Sequence, residues 1–248
     1  MPFLYIANWK MNLRHNAATA WVQTNHTHLK SLASGEKKII LCPSFDALAP
    51  IAHLVKNSPI ALGAQNVSRH RDGAFTGEVS AQSLADLGCT YCIVGHSERR
   101  QHHHENDLNV AAKVERLLEV GITPIICIGE TKEQHQAGET KHVLEKQLDF
   151  VVDVLNQMSG LKPKICIAYE PVWSIGTGQI PDANALIDTF TWLTTLIKDE
   201  CPETQAQLIY GGSVNAENAA QLKEIDTIQG FLIGSASLDF QKFKNIVS

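Results

Sequence analysis

Short apolar runs alternate with longer segments of helical period along the whole chain. The runs cover residues 3–8, 38–42, 60–65, 91–94, 123–128, 164–169, 207–210 and 230–233. Each is almost continuously apolar, the pattern of a strand buried on both faces. Between them, Val110, Val114, Leu117 and Leu118 share one face of segment 105–120. Val143, Leu144, Leu148, Val151, Val152 and Leu155 do the same in segment 140–158. Segments 17–32 and 182–198 also read as helices. About eight strand–helix units with no linker between them predict a parallel sheet covered by helices. That number of units in 248 residues predicts a closed (β/α)8 barrel, one α/β domain spanning 1–248, in preference to an open doubly wound sheet.

One stretch breaks the rhythm. Residues 66–78 read NVSRHRDGAFTGE, polar and glycine-bearing. That is long for a strand-to-helix connection; long loops in compact domains tend to carry function, and a floppy surface loop is the alternative reading.

Composition changes the picture little. The chain is 44% hydrophobic and 19% charged, with a formal net charge of −5. No basic stripe marks a nucleic-acid surface, and no apolar run approaches the roughly 20 residues of a membrane span. The first residues lack the charged region and cleavage site of a signal peptide, so a cytoplasmic protein is expected. Cys42, Cys127 and Cys166 sit in apolar runs, where a thiol packs as a small hydrophobe. Cys89 and Cys92 have the C-x-x-C spacing of a redox or metal pair, but no second half of a zinc site accompanies them. His102, His103 and His104 are adjacent, so on a helix they point in different directions and do not make a metal site.

In a barrel of this kind, chemistry gathers just past the C-terminal ends of the strands. Asn8 and Lys10 follow the first run, His96 and Glu98 the fourth, Glu170 the sixth. Gly211, Gly212 and Ser213 follow the seventh, and Gly234 and Ser235 the eighth. Taken singly, each has a plain structural reading: a solvated lysine, a hydrogen-bonded histidine, a carboxylate capping a turn, two glycines in a tight bend. Together they form a carboxylate, a histidine and a lysine beside glycine-rich turns that present backbone N–H groups to a phosphate, and Ser213 and Ser235 are each expected to precede a short helix whose N-terminal dipole favours an anion. Segment 174–178, SIGTG, is a hinged loop suited to closing over a ligand, with Gly176 offering a further N–H. Such a set suits proton abstraction beside a carbonyl, with stabilisation of the enolate oxygen.

The peptides NWKMN, GHSER, AYEPVWSIGTG and YGGSV, in this order over nearly the whole chain, resemble the triosephosphate isomerase family. The resemblance implies interconversion of dihydroxyacetone phosphate and glyceraldehyde 3-phosphate without cofactor or metal. It carries over the roles for which that family is known. Glu170 moves a proton between neighbouring carbons. His96 acts as a neutral electrophile, kept neutral by a nearby helix N-terminus. Lys10 supplies positive charge, Asn8 places a ligand oxygen, and Glu98 orders Lys10. Gly176, Ser213, Gly234 and Ser235 hold the phosphate under the lid 171–178, and Cys127 packs below. The loop 66–78, with Thr76 near its tip, inserts into a partner subunit, which implies a homodimer. The chain departs from the commonest family pattern at Ser174, where alanine is frequent, and at Gln179, Lys198 and Ser235. Two alternatives share the scaffold: another phosphosugar enzyme, which need not combine Lys10, His96 and Glu170, and a non-catalytic sugar-phosphate sensor, which has no need of Glu170.

Overall fold

The computed structural model describes residues 1–248. Eight parallel strands close into a barrel in chain order. They are β1 (Phe3–Asn8), β2 (Lys37–Cys42), β3 (Ala61–Ala64), β4 (Cys89–Val94), β5 (Thr123–Ile128), β6 (Lys164–Tyr169), β7 (Gln205–Tyr210) and β8 (Gly230–Ile233). The helices are α1 (His15–Leu32), α2 (Phe45–Val55), α3 (Ala81–Asp86), α4 (Ser97–His102), α5 (Asp107–Glu119), α6 (Lys132–Gln136), α7 (Thr140–Gln157), α8 (Ala183–Glu200), α9 (Ala219–Lys223) and α10 (Phe240–Val247). None is long and apolar enough to cross a membrane.

The expected barrel is therefore present, with shifted edges. β3 is shorter than the run 60–65, β4 starts two residues before the run 91–94, and β7 starts two before 207–210. The long helices lie within two residues of their expected starts and ends. Leu118 and Val152, placed on buried faces by their spacing, are only partly covered.

Alternation along each strand builds two cores. Leu4, Ile6, Tyr91, Ile93, Ile125, Cys127, Cys166, Ala168, Ile209 and Leu232 point into the barrel as part of a 12-residue cluster. Their neighbours Tyr5, Ala7, Cys92, Val94, Ile126, Ile128, Ile165 and Ile167 face the helices, in a cluster of 53. Most of the buried apolar residues thus lie between strands and helices.

Helix α2 has a proline inside it, Pro50. A proline has no N–H to give the carbonyl four residues back, which here belongs to Asp46. His15 at the start of α1 takes that carbonyl instead, donating from Nδ1 at 2.7 Å. The freed acceptor becomes a tie between the two helices.

The 66–78 loop has no strand or helix, yet it is anchored. Ser68 N–H donates to Val79 O at 2.8 Å. Arg69 donates to Asn109 at 2.6 Å, and Arg71 pairs with Glu119 at 2.5 Å, so both arginines hold the loop against α5. Phe75 stacks on His70 with ring centroids 3.6 Å apart. The histidine run wraps a helix end: His102 closes α4 and His104 takes a left-handed φ of 53°.

Candidate active site

The inward alternation of the strands continues one step past their ends. In β1 the inward series Leu4, Ile6 reaches Asn8, and in β6 the series Cys166, Ala168 reaches Glu170. Both side chains are therefore aimed into the barrel mouth, where Asn8 is 5% exposed and Glu170 is 2% exposed. The same count brings Ile209 to Gly211 and Leu232 to Gly234, so the two positions beside Glu170 and Lys10 carry no side chain. A Cβ at Gly211 would stand 2.7 Å from Glu170 Cγ. Gly211→Ala is expected to push the carboxylate aside and lower kcat on the order of tenfold to a hundredfold, since small displacements of a reacting group are costly. Unchanged steady-state kinetics would show that the close approach does not matter.

A cavity of about 400 Å³ opens here, lined by Asn8, Lys10, His96, Glu170, Gly176, Ser213, Gly234 and Ser235 among others. Eight of the nine expected site residues share it. The ninth, Glu98, touches it through Lys10, whose Nζ lies 2.5 Å from Glu98 Oε1. A larger groove of about 620 Å³ lies at the opposite ends of β2–β4, between Lys38, His53, Lys56 and Thr90, far from these groups.

The short helix α4 organises the centre. His96 is its N-cap, and the imidazole Nδ1 accepts the Glu98 N–H at 3.2 Å. That bond needs a lone pair on Nδ1, so the ring presents Nε2–H to the cavity. Nε2 stands 3.4 Å from Glu170 Oε1. Ser97 N–H, a first-turn donor with no partner inside the helix, donates to Glu170 Oε2 at 3.3 Å. One helix start thus fixes both the imidazole and the carboxylate.

Lys10 has a left-handed φ of 51°. Its N–H donates to Asn8 Oδ1 at 3.1 Å, and Gln65 donates to its carbonyl at 2.8 Å and to the Cys42 carbonyl at 2.9 Å. Burial pushes the Glu98 carboxyl up, but the hydrogen bond from Lys10 and the charge of its ammonium pull it below its ordinary range. The Lys10–Glu98 tie is therefore intact at neutral pH and is lost as acid protonates Glu98. Cys127 lies below Glu170; burial and then the Glu170 charge hold its thiol well above the usual range, so it packs as a neutral group. Cys89 and Cys92 are buried free thiols within β4, and burial pushes Cys89 up to about 12.

Several groups carried no sequence signal. Glu105 is buried and bonded to Gly95 N–H at 3.0 Å, Arg99 at 2.6 Å and Lys113 at 2.5 Å, which braces the turn before His96. Glu130, fully buried, accepts from Trp173 Nε1 at 3.0 Å and Tyr169 OH at 3.2 Å, tying down the start of segment 171–178. Burial raises its pKa, and these donors offset part of that rise. Lys242 of α10 adds a cation at the Gly234–Ser235 end of the cavity. One local expectation fails: the helix expected just past Ser213 begins only at Ala219, because Asn215 and Asn218 spend the intervening residues on a side-chain-bonded turn. Past β8 the expected short helix is a single 3₁₀ turn, Ser235–Ser237.

Residues 3–248 match the family model described as triosephosphate isomerase. Curated relatives of that name agree over full length. The one from Polynucleobacter asymbioticus is 40% identical over 98% of this chain and 97% of its own. The one from Aquifex aeolicus is 39% identical over 100% and 99%. The one from Cupriavidus necator is 43% identical over 97% and 96%. With a closed eight-stranded barrel, a carboxylate, imidazole and ammonium at its mouth, and matches of this extent, the chain belongs to the triosephosphate isomerase family.

Proposed function

We propose that this site interconverts dihydroxyacetone phosphate and glyceraldehyde 3-phosphate, with Glu170 as the base. The family is itself the long-known case in which a carboxylate base works beside a neutral imidazole. The observation that carries the reading here is Glu170 Oε1 at 3.4 Å from His96 Nε2, in a pocket shared with Lys10 and the glycine-rich turns.

The chemistry follows from these positions. The phosphate lies at the Gly176, Ser213, Gly234 and Ser235 end, where backbone N–H groups gather. The carbonyl and hydroxyl carbons then lie beside the Glu170 carboxylate, with their oxygens turned toward His96. Glu170 takes a proton from one carbon. The electron pair moves onto the carbonyl oxygen, and His96 Nε2–H and the Lys10 ammonium stabilise the enediolate. Asn8 orients the ligand oxygen, and Glu98 holds the Lys10 ammonium in place. His96 gives its Nε2 proton to the former carbonyl oxygen and takes one back from the neighbouring hydroxyl, and Glu170 returns the carbon-bound proton to the neighbouring carbon. Closure of 171–178 keeps water from the enediolate. No step calls on a cofactor or a metal. A coupled assay with pure protein is expected to show turnover of glyceraldehyde 3-phosphate to dihydroxyacetone phosphate. No turnover would move the reading to another phosphosugar reaction or to a sensor.

The enzyme acts as a homodimer in this reading. Met11 (95% exposed), Phe45 and Phe75 are apolar side chains left open beside the site and on the 66–78 loop. A hollow of about 370 Å³, lined by Arg69, Phe75, Thr76, Arg99, His103 and Glu105, would receive part of a second copy. Light scattering is expected to give twice the 27.3 kDa chain mass. A fully active monomer at assay concentration would overturn the dimer. A cytoplasmic location is supported by six free thiols, all buried, as suits a reducing compartment.

A further inference from the structure

Ser174 lies in the lid and is fully buried. Its hydroxyl is 3.2 Å from the hydroxyl of Tyr210, itself fully buried at the end of β7. Its Oγ also accepts the Ser213 N–H at 3.4 Å. Two further bonds join the lid to the same residue: Ser213 Oγ donates to Ser174 O at 2.6 Å and accepts from Gly178 N–H at 3.2 Å. The fit around these hydroxyls is tight. A Cβ at Gly212 would stand 2.2 Å from the Tyr210 hydroxyl and 2.6 Å from Ser174 Oγ.

Ser213 N–H is one of the donors assigned above to the substrate phosphate. A hydroxyl oxygen accepting that N–H occupies the place of a phosphate oxygen. An alanine at position 174, the commoner residue in this family, would leave the donor open.

We propose that Ser174 is a competitor for phosphate built into the lid: in the ligand-free enzyme its hydroxyl fills the Ser213 N–H subsite, and an arriving phosphate displaces it. This rests on the phosphate assignment in the proposed function. Displacement leaves no buried group stranded, because Ser174 Oγ keeps the Tyr210 hydroxyl as partner. Each binding event must therefore break one lid contact at the phosphate end, which links phosphate arrival to rearrangement of 171–178. The cost appears as weaker phosphate affinity. Ser174 is thus a positioning residue that sets affinity at the phosphate end and takes no part in the proton transfer.

The test is calorimetric titration with inorganic phosphate of the wild type, Ser174→Ala, Tyr210→Phe and the double variant. Ser174→Ala removes the competitor, so Kd for phosphate is expected to fall about fivefold, the ratio that one ordinary hydrogen bond of about 1 kcal/mol sets. The single variant strands the Tyr210 hydroxyl in the interior. The double variant removes both hydroxyls, which preserves the fold's polar balance, and is expected to show the same gain. Tyr210→Phe alone keeps the competitor and is expected to show no gain. Unchanged or weaker phosphate binding in both alanine-174 proteins overturns the inference, as does an equal gain in Tyr210→Phe, which would mean a general loosening of the lid. If the wild type turns over triose phosphates while these outcomes hold, only this inference falls. A wild type that neither binds phosphate nor turns over the trioses removes the functional reading and the inference together.

Discussion

Glu170→Gln is expected to lower kcat by about 10²–10⁴-fold, the usual contribution of a positioned acid or base. The substitution is nearly isosteric. A glutamine can still accept the Ser97 N–H that holds Glu170 Oε2 at 3.3 Å, so the side chain keeps its place against α4. It cannot take a proton from carbon at neutral pH. The pocket keeps its shape and loses one negative charge, so binding of a phosphate ligand should not weaken. The expected pattern in steady-state kinetics is a large fall in kcat with KM within a few-fold of wild type. A variant with wild-type kcat would mean that another group removes the proton.

Lys10→Ala is expected to lower kcat/KM by about 2–5 kcal/mol, roughly 30- to 5,000-fold, the scale for removing one member of a bonded charge pair at a binding site. The ammonium stands 2.5 Å from Glu98 Oε1, so its removal has two effects. The anionic substrate loses a cation, and an unpaired carboxylate is left at the mouth of the pocket. Part of the loss is therefore repulsion by Glu98. The double variant Lys10→Ala/Glu98→Ala separates the two effects and is expected to recover part of kcat/KM without restoring it. An unchanged kcat/KM in the single variant would remove Lys10 from the site.

The barrel was largely legible in the sequence because its strands are buried on both faces. Such strands read as unbroken apolar runs, and each of the eight coincides with a run. The long helices α1, α5, α7 and α8 hold enough turns to show a 3.6-residue period. Helices α3, α4, α6 and α9, of five or six residues, hold too few. Helix α2 was hidden by Pro50, whose missing hydrogen bond is offset by His15 from another helix. The turn after Ser213 depends on asparagine side chains bonding to backbone, which apolar spacing does not record.

At the site, the groups that stand at strand ends were legible and share one cavity. The groups that hold them were not. Gln65 acts through two carbonyls, and Ser97 through its backbone N–H, which any residue would supply. Glu130 lies 43 residues from its partner Trp173, and Glu105 gathers a backbone N–H and two cations in the interior. Ser174 could be seen as a departure from the family pattern, but its meaning comes only from the nearness of Tyr210 and Ser213. Supporting residues follow from three-dimensional packing, whereas the residues proposed to react follow from strand position.

The central claim is that a single base, Glu170, carries a proton between adjacent carbons through an enediolate. Its most direct test uses substrate deuterated at the carbon that loses the proton, turned over in ordinary water and followed by NMR, with Glu170→Gln run in parallel. The account predicts that part of the deuterium is replaced by solvent hydrogen in the product, because the base can exchange its proton while the enediolate waits. It also predicts that turnover by the Gln variant falls by at least about 10²-fold. Complete retention of deuterium together with an unchanged rate in the Gln variant would contradict it.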